Sequence, residues 1–71
     1  MKHVPVESSN IHSVAYSAEL AAMEVAFKNG TTYRATEVMP SDHAAFMAAQ
    51  SKGSHFAQHL RGRFKWQKVT Q

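Results

Sequence analysis

The chain has 71 residues, 44% of them hydrophobic, with no cysteine and a formal net charge of +3. A chain this short forms one domain at most and buries only about 60% of the surface its unfolded form exposes, so apolar packing has to succeed on a small core. Neither a disulfide framework nor a thiolate metal site is available to reinforce it, and no apolar run approaches the roughly 18 residues of a membrane span.

The opening MKHVPVESSN has no apolar centre of the kind a signal peptide carries, so the composition predicts a soluble, cytoplasmic chain with no membrane partner. Charge is unevenly placed. Residues 1–50 hold Lys2, Lys28 and Arg34 against Glu7, Glu19, Glu24, Glu37 and Asp42, a net of −2. Residues 51–71 hold Lys52, Arg61, Arg63, Lys65 and Lys68 with no acid, a net of +5. Such a two-ended molecule attracts phosphate backbones or acidic protein surfaces through its C-terminal part.

In chain order, NIHSVAYS sets Ile11, Ser13 and Ala15 in alternation with His12, Val14 and Tyr16, the period of a strand. The run LAAMEVAFKNGTTYRATEV places Met23, Val25 and Phe27 on one side of an extended segment and Glu24 and Ala26 on the other. Asn29-Gly30 follows, a dipeptide suited to the positive φ of a tight hairpin, and Tyr33 and Ala35 continue the apolar face on a third strand. The alanines of SAELAAMEVAF favour a helix by propensity, but the Asn-Gly turn and the threonines after it favour the hairpin.

After Pro40 the pattern becomes helical. PSDHAAFMAAQ offers Ser41 or Asp42 as N-cap and Phe46 and Ala49 on an apolar face. SKGSHFAQHLRG offers Ser51 or Ser54 as cap, Phe56 and Leu60 four apart, and Gly62 as a stop. The tail RFKWQKVTQ alternates Phe64 and Trp66 with Lys65 and Gln67, which suits an extended segment returning its aromatics to the domain. The predicted architecture is α+β: a small antiparallel three-stranded meander, two short helices and a basic C-terminal tail.

Catalytic signals are weak. No G-x-S-x-G elbow surrounds a serine, and so short a chain has little room for a walled pocket, so the expectation is a non-enzymatic protein without cofactor. His55 and His59 stand four apart, as two zinc ligands on a helix would, but Phe-Ala-Gln lies between them without the glutamate of H-E-x-x-H, and no metal site is predicted. Cationic neighbours would instead disfavour their protonation. In SKGS, a helix capped by Ser54 would bring free N–H groups and Lys52 to a phosphate or carboxylate, whereas the ordinary reading is a turn between helices.

The tail interleaves cations and aromatics: Arg61, Arg63, Phe64, Lys65, Trp66 and Lys68. Cations neutralise phosphates while Trp or Phe stacks on an unpaired base, and Trp and Arg serve equally as anchors for a protein partner. Alternatively, Phe64 and Trp66 complete the core and the cations only solubilise.

Three stretches together, VESSNIHSVAYS, AMEVAFKNGTTYRATEV and SKGSHFAQHLRGRFKWQKV, resemble the KTSC domain, a short bacterial and phage module named for its occurrence at the C-terminus of some lysyl-tRNA synthetases. The likeness runs from about Val6 to Val69 and rests on Ser8-Ser9-Asn10-Ile11, Lys28-Asn29-Gly30, Ser51-Lys52-Gly53, Phe56, His59, Gly62 and Arg63. The central Y-x-Y pattern of the family is half present, as Tyr33-Arg34-Ala35. This resemblance implies a meander followed by helices, an RNA-binding role and no catalysis. More loosely, a chain of this size resembles small phage-encoded regulators of host RNA polymerase.

The first functional expectation is accordingly a phage-encoded regulator that binds bacterial RNA polymerase and alters initiation or termination, with direct RNA binding as the alternative. Contact roles fall to Lys52, Arg61, Arg63, Lys65, Trp66 and Lys68 on the basic side. Glu7, Ser8, Ser9 and Asn10 form the second candidate patch, whose other reading is a turn that fixes the first strand.

Overall fold

A computed structural model describes residues 1–69. Five strands, β1 (Val4–Pro5), β2 (Ile11–Ser17), β3 (Ala22–Phe27), β4 (Thr32–Ala35) and β5 (Gln67–Lys68), form one antiparallel sheet in the order β1-β2-β3-β4-β5. Between β4 and β5 lie α1 (Pro40–Ala48) and α2 (Lys52–His55), the latter running into a wider π-helical turn over Phe56–Leu60. The class is α+β as expected, but the three-stranded meander is corrected to a five-stranded sheet. Each added strand is only two residues long; the tail that holds β5 was expected to be extended, but pairing with an existing edge is what makes a strand of either segment.

The hairpin between β3 and β4 forms at Asn29-Gly30. Gly30 takes φ +94° and its N–H donates to Phe27 O at 3.0 Å, while Phe27 N–H donates to Thr31 O at 2.8 Å. A three-residue loop with glycine in the left-handed position results. In β2 the expected alternation breaks, because a bulge falls between Ile11 and Ser13. Ile11 still pairs with Phe27, but Val14 pairs with Val25 and Tyr16 with Met23, so Val14 and Tyr16 share the face of Ile11. Ser13 and Ala15 turn to the opposite face beside Ala26 and Glu24, and His12 stays exposed. One extra residue exchanges the two faces of everything that follows it.

The helices cover the face carrying Ile11, Val14, Met23, Val25 and Ala35, and contribute Phe46, Phe56 and Leu60, with Val38 from the connection. Phe46 is completely buried, a contribution of about 2–3 kcal/mol relative to an exposed phenylalanine. Helix α1 starts two or three residues earlier than Ser41 or Asp42 would set it. Met39 is the N-cap, Pro40 supplies the first helical φ, and the Asp42 carboxylate accepts from Met39 N–H at 3.0 Å. The connection into α1 is pinned by Tyr16, whose hydroxyl donates to Val38 O at 2.7 Å and whose ring stacks on His43 at 4.4 Å.

At α2 the cap is Ser51, whose Oγ accepts from Ser54 N–H, so Ser54 lies inside the first turn and is not the cap. The π turn closes with Arg61 N–H on Phe56 O at 2.8 Å. Phe56 and Leu60, four apart, both reach the core, while Ala57 and Arg61, also four apart, line the surface groove described below. Gly62 lies beyond this segment and is not in a left-handed conformation, so it does not act as a glycine stop. Phe64 and Trp66 pack back on the core as the alternation of the tail suggested, and Lys68 and Gln67 pair with Tyr33 and Arg34.

The outer face of the sheet carries a small polar clasp. His3, two residues before the end of β1, donates from Nε2 to Glu24 Oε1 at 2.8 Å, and its Nδ1 sits 3.0 Å from Ser13 Oγ. Arg34 Nε donates to Glu24 Oε2 at 2.8 Å. Burial by itself would raise the Glu24 carboxyl pKa, but the hydrogen bonds and positive charge of His3 and Arg34 outweigh it and hold the carboxyl below its ordinary range.

Candidate nucleic-acid interface

A groove of about 560 Å³ opens at the end of the sheet where β2 begins and the β3–β4 hairpin turns. Four parts of the chain build it. The segment before β2 supplies Asn10, and the hairpin supplies Phe27, Asn29 and Tyr33. The α2 region supplies Gly53, Phe56, Ala57 and Arg61, and the tail supplies Trp66.

The aromatic wall is a connected set of rings. Phe27 meets Tyr33 edge-on at 6.0 Å and Phe56 edge-on at 5.3 Å, and Phe56 lies 5.0 Å from Trp66. Edge-to-face packing of this kind holds ring orientations and leaves parts of the faces open to the groove. Trp66 is fixed further by its indole N–H, which donates to Leu60 O at 2.9 Å. Since Phe27, Tyr33 and Trp66 are only partly buried, the wall is accessible as well as rigid.

Asn10 is positioned by a tight local network. Ser8 Oγ accepts from the backbone N–H of Asn10 at 3.4 Å and of Ile11 at 3.2 Å, and its hydroxyl donates to Asn10 Oδ1 at 3.2 Å. Across the gap, a Cβ placed on Gly53 would stand 2.6 Å from Asn10 Oδ1. Glycine at 53 is therefore what lets the asparagine amide lie against the start of α2. The Asn10 carbonyl also accepts from Lys28 N–H at 2.8 Å, which holds the segment before β2 beside the hairpin.

The candidate residues separate on this framework. Asn10, Arg61 and Trp66 meet in the groove, and Ser8 supports Asn10 from behind. Glu7 and Ser9 are exposed beside it. Lys68 stands opposite Tyr33 on β5, near the same end. Lys52 is turned to the connection between the helices, where its Nζ donates to Ala49 O at 3.2 Å. Arg63 pairs with Asp42 at 3.0 Å and lies over the Phe64 ring at 5.2 Å. With Lys65 it lines a second hollow of about 310 Å³ beside Thr36 and Glu37. The basic segment, continuous in sequence, is thus divided between two surfaces.

The phosphate site envisaged around Ser54 does not form as drawn, because Ser51 takes the capping role and Gly53 faces Asn10. The rings of His55 and His59 lie 4.8 Å apart. Burial first, and the neighbouring His59 second, hold the His55 pKa below the ordinary imidazole value. Among the described residues no three His, Asp or Glu side chains gather as a metal cluster, and no helix is long and apolar enough to cross a membrane.

Phe27, Asn29, Tyr33, Phe56 and Ala57 were not among the expected contact residues, and Gly53 was expected only at the anion site beside Ser54. Phe27 and Tyr33 flank the Asn-Gly turn on one face, which was a usable signal. The approach of Gly53 to Asn10 spans 43 positions and had none.

Comparison with known proteins agrees with this architecture. The KTSC domain family model matches residues 7–64. A crystal structure of a KTSC domain protein from Yersinia pestis superposes with a TM-score of 0.90 at 34% identity, covering 97% of each chain. An uncharacterised protein of Stutzerimonas stutzeri is 40% identical over 58 residues, 82% of each chain. A lysine–tRNA ligase of Nostoc punctiforme is 30% identical over 64 residues, which are 90% of this chain but 11% of the ligase. The departure from the family's Y-x-Y pattern falls at Ala35, which is buried opposite Met23 and does not line the groove.

Proposed function

The chain belongs to the KTSC domain family, and from that premise and the groove we propose that it is a non-enzymatic module binding single-stranded RNA in the cytoplasm. The observation that carries this reading is the meeting of a rigid, partly open aromatic wall with Arg61 in one groove. Aromatic side chains stack on unpaired bases at about 1–3 kcal/mol per base, and a neighbouring cation meets the phosphate. Arg61 has no acidic partner among the described residues, whereas Arg63 and Arg34 each do. It is the arginine whose charge is left for a ligand. The likeness to a lysine–tRNA ligase, a protein that by its name acts on an RNA, supports the same reading.

Fluorescence anisotropy with short single-stranded RNA tests it. Affinity falls with rising salt, and Arg61→Ala lowers affinity about tenfold and reduces the salt slope by about one. Arg61 is exposed, so the variant keeps the wild-type melting temperature. Binding that ignores both salt and Arg61 contradicts the proposal. The polymerase-regulator reading has the charge asymmetry of the chain behind it and is the rival outcome. Polymerase subunits retained by the tagged protein after nuclease treatment of a bacterial lysate, with no RNA affinity in anisotropy, would replace the RNA reading with it.

A further inference from the structure

The groove presents an excess of hydrogen-bond donors, and from this we infer that it selects a keto nucleobase, uracil or guanine, over an amino base, cytosine or adenine. The inference rests on the RNA-binding reading above and specifies which base the groove holds.

Two asparagines carry it. At Asn10 the orientation of the amide follows from its neighbours. Ser8 Oγ already accepts from two backbone N–H groups, so its own hydrogen goes to Asn10, and the atom receiving it is the oxygen. Asn10 Nδ2 then has no partner among the described residues. At Asn29 the side-chain oxygen accepts from Thr31 N–H at 3.0 Å, which again occupies the acceptor and leaves Nδ2 as the free end. The bond from Lys28 N–H to Asn10 O at 2.8 Å sets the two asparagines next to each other on one rim of the groove.

A base stacked on the aromatic wall therefore meets amide donors with its edge. Uracil O4 and guanine O6 accept there, whereas cytosine N4 and adenine N6 are themselves donors and leave donor facing donor. Arg61 meets the phosphate, a contact that is the same for every base.

The experiment compares octamers of uridine and cytidine, whose bases differ at the exocyclic group on C4, an acceptor in uracil and a donor in cytosine, and in the opposite sense at the adjacent N3. The wild-type protein binds the uridine octamer about tenfold more tightly, the size expected for one well-formed base contact. Asn10→Asp keeps the oxygen that accepts from Ser8 and replaces the free donor with an acceptor. It lowers uridine affinity, raises cytidine affinity and brings the two together or reverses them. Asn29→Asp acts in the same direction and serves if the first variant melts early. Arg61→Ala weakens both octamers equally and keeps their ratio. Equal wild-type affinity for the two octamers overturns the base preference while leaving RNA binding in place. Absence of binding to either overturns both.

Discussion

Two polar regions of this small protein, the clasp around Glu24 and the rim around Asn10, are made of similar side chains and end in opposite states. On the outer sheet face, both Glu24 oxygens are taken by His3 and Arg34, and Ser13 is joined to the same cluster. Both carboxylate oxygens there are satisfied within the chain. On the groove rim, the acceptors of Asn10 and Asn29 are taken by Ser8 and Thr31, while their amide donors have no partner among the described residues and both asparagines line the groove with Arg61. Saturated polar groups hold the fold, whereas an oriented set of one sign left open is available to a ligand. The comparison explains why charge alone was a poor guide: Arg34 and Arg63 are as basic as Arg61, yet each is paired with an acid.

The largest effect expected from breaking this comparison is at the clasp. Glu24→Ala leaves Arg34 and His3 without their common acceptor, and about 2 kcal/mol of stability is lost, the value of hydrogen bonds to a buried charged group. For a domain of this size that lowers the melting temperature by about 10 °C, read by circular dichroism. RNA affinity measured well below the transition stays unchanged. A loss of affinity without a loss of stability would reverse the roles of the two regions.

Gly53→Ala sharpens the comparison from the other side. The new Cβ meets the end of the Asn10 side chain, which swings away, so the cost falls on the groove rather than on the fold. Replacing a helical glycine by alanine gains up to about 1 kcal/mol, which offsets the local crowding. The expected outcome is a melting temperature within a few degrees of wild type together with several-fold weaker uridine binding. Unchanged binding would remove Asn10 from the site.

Acid titration gives the smallest effect, since a protonated Glu24 keeps its shape. Because the folded-state pKa of Glu24 lies below its unfolded value of 4.5, its contribution is fully present above that value and is lost as pH falls through the folded pKa. His43, through burial, and His55, through burial and His59, are likewise held below the ordinary 6.5. The neutral forms of both favour the fold above that pH, and stability begins to fall once pH drops under it. Wild type therefore weakens in two stages on acidification. The gap between wild type and Glu24→Ala stays constant from pH 7 to 5 and begins to narrow below about 4.5. A gap that closes already between pH 7 and 6 would show that the carboxylate is not what holds the clasp.

The sequence by itself determined the elements whose signals are local. Alternation in AMEVAF and the Asn-Gly pair specified the β3–β4 hairpin, because a period of two and a residue tolerant of positive φ act within a few positions. The helical stretches after Pro40 were legible for the same reason, although Met39 rather than Ser41 or Asp42 caps the first. The alternation of Phe64 and Trp66 was enough to return the tail to the core.

Tertiary structure alone decided what depends on distant partners. The strands β1 and β5 exist because two-residue segments find the free edges of β2 and β4. The bulge after Ile11 reassigns the faces of β2, since one inserted residue inverts a period of two. The fate of each basic residue was set in the same way. Asp42 claims Arg63, Ala49 O claims Lys52, and Glu24 claims Arg34, while Arg61 is brought to Asn10 across 51 positions of chain. Composition counts charges, but only packing distributes their partners, and that distribution separates the side chains that hold this protein together from those left to bind.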